Sequence, residues 1–125
     1  WSSDVCSSDL YALVADDNPL IRMDAQEAGF RVFTASRFED AVEILAVRGH
    51  RLQLLFTDVQ MPPGTMTGYD LARRCSRDWP QIGILVASGA TPPGPDDLPT
   101  GALFLDKPFS GDTVKGCLNR LFPDR

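Results

Sequence analysis

The strongest constraint on this chain is the alternation of short apolar runs with longer stretches of helical spacing. Residues 11–15 (YALVA), 30–35, 52–57 (LQLLFT), 82–87 (IGILVA) and 102–105 (ALFL) are the apolar runs. The first is continuous, as a strand buried on both faces is, and the others are strand candidates. Asn18 followed by Pro19 is a helix-start signature, and Gly29 closes that helix, which therefore reaches only to about Ala28. Ala41, Val42, Ile44 and Leu45 repeat at helical spacing within residues 38–47, and Gly49 ends the pattern. Residues 69–79 form a further helix stopped by Pro80, and Ser110 caps a last one reaching Leu121 or Phe122. Five strand-to-helix alternations predict an α/β fold, a five-stranded doubly wound parallel sheet covered on both faces.

The 125 residues suffice for one domain and not two. Residues 1–10 (WSSDVCSSDL) are polar and unpatterned and resemble a translated sequencing adapter, so they are read as a disordered or artefactual leader. The domain is assigned to residues 11–122 and a tail to 123–125. Seventeen acids against twelve bases give a net charge of -5, which leaves no basic stripe for direct nucleic-acid binding. No apolar stretch approaches the ~18 residues of a membrane span, and nothing has the pattern of a signal peptide. The three cysteines, Cys6, Cys75 and Cys117, are odd in number and widely spaced, as in a reduced cytoplasmic protein.

In a doubly wound sheet, ligands bind outside the carboxyl ends of the strands. Asp16 and Asp17 follow the first strand, Asp58 the third, Ser88 the fourth and Lys107 the fifth. One acid at a strand end is an ordinary turn residue; these five together are a site. Three carboxylates bring a charge of -3, and two of them ~4 Å apart repel by about 4 kcal/mol at an effective dielectric near 20. One Mg²⁺ and Lys107 cancel that charge, and magnesium suits an all-oxygen site shared with a phosphate. Asp58 is then a nucleophile towards phosphorus, and Ser88 a donor to a phosphoryl oxygen.

At VADDNP (14–19), TDVQMP (57–62), ASGA (87–90) and LFLDKPF (103–109) the chain resembles the response-regulator receiver domain of two-component signalling. The resemblance runs from residue 11 to about 122 and implies a flavodoxin-like (CheY-like) fold. It implies Asp58 as phosphoacceptor, with Asp17 and Asp58 as the magnesium pair. Asp16 helps through a metal-bound water, and Gln60 offers its backbone carbonyl. Ser88 is the implied switch hydroxyl, Lys107 the phosphate-pairing lysine, Phe104 the switch aromatic, and Lys107–Pro108 a cis peptide. The implied donor is a sensor histidine kinase or a phosphotransfer protein, with an output partner that the residues do not name. The implied location is cytoplasmic. The domain is then no enzyme beyond slow self-dephosphorylation.

The chain departs from that pattern in three places. The first helix is about one turn short. The loop after Asp58 holds Pro62, Pro63 and Gly64 and reaches Gly68 late. Pro92, Pro93, Pro95 and Pro99 between Ser88 and Lys107 exclude a normal fourth helix, leaving a Pro-rich segment as the mobile reader of the switch. Arg73, Arg74 and Arg77 read as a solvated helix face, His50 as a surface residue, and Cys75 and Cys117 as buried or half-buried. Met61 and Met66 are packing or partner contacts. Two alternatives stand beside the phosphoacceptor reading. One is a receiver-like interaction module that works without phosphorylation. The other is a haloacid-dehalogenase-type phosphatase, which needs a second Asp as general acid where this chain has Gln60.

Overall fold

A computed structural model describes residues 10–16, 19–60, 67–89, 93–94 and 97–123. Residues 1–9, including Cys6, lie outside it, as do Asp17, Asn18, residues 61–66, residues 90–92 and 95–96 (with Pro92 and Pro95) and the last two residues. In chain order the elements are β1 (Leu10–Ala15), α1 (Pro19–Glu27), β2 (Phe30–Thr34), α2 (Phe38–Arg48), a 3-10 turn (Gly49–Arg51), β3 (Leu52–Asp58), α3 (Gly68–Asp78), β4 (Gly83–Ser88), β5 (Leu103–Asp106) and α4 (Gly111–Leu121). The strands form one parallel sheet in the order β2-β1-β3-β4-β5. This is the doubly wound α/β architecture expected from the strand–helix alternation.

Side chains alternate across a strand, so each apolar run feeds two cores. Leu13, Leu55, Ile84 and Val86 meet Ala41 and Leu45 of α2 and Leu71, Ala72 and Cys75 of α3 on one face. Ala12, Val14, Leu54, Phe56, Leu85 and Leu105 meet Ile21 and Ala25 of α1 and Val114 and Leu118 of α4 on the other. The crossovers thus put two helices on each face.

α1 has nine residues and ends one residue before the expected Ala28. Gly29 then turns the chain at φ 102°, a conformation that costs little only without a Cβ. At 1.5 Å per residue the helix spans about 14 Å, less than the roughly 20 Å of six-residue β1. The Phe30 and Phe122 rings, 5.6 Å apart, pack into the same core as α1. Between β4 and β5 the described residues contain no helix. Leu98 and Ala102 of that stretch pack against the α2–α3 core instead.

Cys75 and Cys117 are both buried and unpaired. Burial, and secondarily Asp78, pushes the Cys75 thiol up to about 12, so it behaves as a small apolar group at neutral pH. His50 is exposed, as expected. Among the described residues, no helix is long and apolar enough to cross a membrane.

Gly49, where α2 meets the 3-10 turn, is buried under the Trp79 indole, and a Cβ there would overlap that ring. Its carbonyl also accepts a hydrogen bond from Gln81 Nε2 at 3.0 Å. Gly49→Ala is therefore expected to destabilise the fold by about 1–3 kcal/mol, the usual cost of overpacking. The check is a lower urea midpoint at an unchanged denaturant slope.

Candidate functional site

Asp16, Asp58, Ser88 and Lys107 all stand at the C-terminal edge of the sheet. Asp58 ends β3 and Ser88 ends β4, while Asp16 and Lys107 directly follow β1 and β5. The ladder runs one residue past the named strands: Lys107 N donates to Ser88 O at 3.0 Å, and Val59 N to Ala87 O at 3.1 Å. Asp16, Asp58 and Lys107 each lie two residues beyond Val14, Phe56 and Leu105, which share the α1–α4 core. The period-two pattern of three separate strands thereby gathers three charged groups.

Lys107 Nζ lies 3.3 Å from Asp16 Oδ2 and 3.4 Å from Asp58 Oδ2. The other Asp58 oxygen, Oδ1, accepts a long hydrogen bond from Gln60 N at 3.4 Å. The Asp16 side chain is only 6% exposed, against 24% for Asp58. Asp16 is thus the structural anchor of the ammonium, and Asp58 is the carboxylate open to an incoming group. Gly89 sits close to the Lys107 stem, where an added Cβ would lie 3.3 Å from Lys107 Cβ. The Lys107–Pro108 peptide bond is cis.

Two carboxylates on one ammonium leave one uncompensated negative charge at an oxygen-lined edge. That donor chemistry fits a hard divalent cation such as Mg²⁺. Among the described residues no group of three or more His, Cys, Asp or Glu side chains forms a metal cluster. Asp17, the third carboxylate of the sequence reading, lies outside them.

Ser88 and Phe104 belong to the other face. Ser88 follows Ile84 and Val86 in alternation, and Phe104 pairs in register with Val86. Ser88 is 3% exposed; Phe104 is half-buried against the α2–α3 core.

The entry to α3 is part of the site as well, which the residue pattern did not reveal. Gly68 N donates to Val59 O at 2.7 Å. A Cβ on Gly68 would collide with the backbone carbonyl of Asp58, so the helix can start this close to the strand end only with glycine. Gln60 and Thr67 pair as an isolated antiparallel bridge. Thr67 caps α3 through a reciprocal box: its Oγ1 accepts from Asp70 N, and its own N donates to Asp70 Oδ2 at 2.8 Å. The T-x-x-D spacing of residues 67–70 was the available sequence signal. Arg73, read as part of a solvated face, is exposed but bonded, with Nη2 on Asp70 Oδ1 at 2.5 Å and Nη1 on Asp97 O at 3.2 Å.

The sequence profile of the response regulator receiver domain matches residues 12–117. Among curated proteins, none matches the chain significantly. Solved structures with the same fold include chemotaxis protein CheY4 of Vibrio cholerae, at 24% identity and TM-score 0.73, covering 90% of this chain and 98% of that one. Another is the receiver domain of sensor histidine kinase PA1611 from Pseudomonas aeruginosa, which has a magnesium ion coordinated in its active-site cleft. It is 20% identical, with TM-score 0.71 and coverage of 93% and 99%. A third is a chain of the CheX–CheY complex with BeF3 and magnesium from Borrelia burgdorferi, at 21% identity, TM-score 0.78 and coverage of 90% and 89%.

The Thr67 backbone N–H holds the Asp70 carboxyl below its ordinary 3.8, helped by the Thr67 hydroxyl and Arg73 against partial burial. A carboxyl lowered on folding stabilises the fold fully above 3.8, and that contribution is lost as pH falls through the lower folded value. Asp70→Ala should therefore destabilise the protein at pH 7 by about 0.5–2 kcal/mol, the range for a lost helix cap. Urea titrations should show the gap between variant and parent shrinking once pH drops below 3.8.

Proposed function

Because the chain belongs to the response regulator receiver domain family, we propose that it is a phosphoacceptor of a two-component relay, with Asp58 taking the phosphoryl group. The observation that carries this reading is the Lys107 ammonium shared by Asp16 and Asp58 at the C-terminal sheet edge. A carboxylate oxygen of Asp58 attacks phosphorus, the donor's bond to phosphorus breaks, and its electron pair leaves with the donor. Lys107 pairs with a phosphoryl oxygen as charge builds there, and Ser88 donates its hydroxyl to another. Asp16, Asp17, Asp58 and the Gln60 carbonyl are the residues that would hold Mg²⁺. The chemistry magnesium supplies when bound is neutralisation of phosphoryl charge.

The donor in this reading is a sensor histidine kinase or a phosphotransfer protein, and the location is cytoplasmic. Phosphorylation raises the charge on Asp58 from one negative towards two. Ser88 then gains a charge-assisted bond, and Phe104 takes up the space Ser88 leaves. Gln60 stands where a haloacid-dehalogenase-type phosphatase needs its acid, which disfavours turnover of free phosphate esters.

Incubation with Mg²⁺ and a small phosphodonor should add one phosphoryl group by intact mass, and Asp58→Asn should add none. No addition to the parent chain would favour an interaction module that works without phosphorylation, and continuous phosphate release would favour a phosphatase. Asp17→Ala should weaken Mg²⁺ affinity by at least the roughly tenfold that loss of an outer-shell partner causes, measured by titration calorimetry. Ser88→Ala should keep phosphoryl uptake but lose the change in amide exchange around Phe104.

A further inference from the structure

A path of hydrogen bonds and one β-bridge leads from Asp58 to the described residues between β4 and β5 without passing through Ser88 or Phe104. Asp58 Oδ1 accepts from Gln60 N at 3.4 Å, and Gln60 pairs with Thr67 in a β-bridge held by Gly68 N donating to Val59 O at 2.7 Å. Thr67 N donates to Asp70 Oδ2 at 2.8 Å, and Asp70 Oδ1 accepts from Arg73 Nη2 at 2.5 Å. Arg73 Nη1 then donates to Asp97 O at 3.2 Å and lies 3.6 Å from Asp97 Oδ1. Asp97 Oδ2 closes the turn by accepting from Gly94 N at 2.7 Å, and Asp97 N donates back to Gly94 O at 3.2 Å. Next to Asp97, Leu98 packs against the core cluster that contains Tyr69 and Phe104.

We propose that Arg73 is a positioning residue that latches the β4–β5 segment to the capping box of α3, so that phosphorylation of Asp58 releases the segment through Gln60, Thr67 and Asp70. The inference rests on the phosphoacceptor reading above. Added negative charge on Asp58 strengthens its bond to the Gln60 N–H. Gln60 and its bridge partner Thr67 shift with it, and Thr67 carries Asp70. A planar guanidinium serves two carboxylates only while both lie at its fork. The Asp97 contacts, at 3.2 and 3.6 Å, are longer than the Asp70 contact at 2.5 Å and are lost first.

The experiment is hydrogen exchange by mass spectrometry on the full chain, with and without Mg²⁺ and beryllofluoride, beside intact-mass phosphorylation of the same variants. In the parent chain, the mimic should speed exchange of the bonded amides of Gly94, Asp97 and Ala102. In Arg73→Ala those amides should already exchange about two- to fivefold faster without the mimic, the size of one lost exposed ion pair. The mimic should then add little, while phosphoryl uptake stays intact. Asp97→Asn removes the charge of the 3.6 Å pair while keeping the Asp97 carbonyl and a side-chain oxygen for the Gly94 amide, and it should give a smaller basal increase of the same kind, with the capping box of α3 untouched. Arg73→Ala that exchanges as the parent does in both states overturns the latch. Faster basal exchange with an undiminished response to the mimic overturns the coupling, because Arg73 is then only a tether. A parent chain that takes up no phosphoryl group overturns the reading of Asp58, and the coupling with it.

Discussion

One ammonium held between two carboxylates organises this protein. Lys107 joins the end of β5 to Asp16 beyond β1 and to Asp58 at the end of β3, so one side chain ties the outermost β5 to the centre of the sheet. Each carboxylate alone would be an exposed acid at a strand end. Together they repel, and the lysine turns that repulsion into a fixed geometry with one negative charge left over. Asp16 is the more buried partner of the ammonium and Asp58 the more open one.

The rest of the fold works to keep those strand ends in register with less helix than usual. α1 is shorter than the strand it covers, and the Phe30 and Phe122 rings add to the core it packs on. No helix occurs among the described residues between β4 and β5. Leu98 and Ala102 bury apolar surface there, and Arg73 supplies the polar attachment that a helix would have made internally. A segment held by one exposed arginine fork and a few apolar contacts is easier to release than a packed helix.

α3 links the two halves of this arrangement. Gly68 lets its first turn approach the Asp58 backbone, Thr67 and Asp70 cap it reciprocally, and Arg73 extends from its next turn to Asp97. This helix thereby joins the end of β3 to the described residues between β4 and β5.

The alternation of apolar runs and helical stretches was by itself enough for the sheet, because run length and helical spacing are local properties of each segment. Asp16, Asp58, Ser88 and Lys107 were legible for the same reason, since a parallel sheet puts every strand's C-terminal end on one edge. The tertiary structure alone decided which groups meet. Lys107 and Asp16 are 91 positions apart, and Arg73 and Asp97 are 24 apart. No periodicity reports a distance across such separations. The need for glycine at positions 49 and 68 was hidden likewise, because it comes from a Trp79 ring and an Asp58 carbonyl that only packing brings near. Arg73 read as solvated because exposure follows from helical spacing, whereas a hydrogen-bond partner on another segment follows only from where the crossover comes to rest.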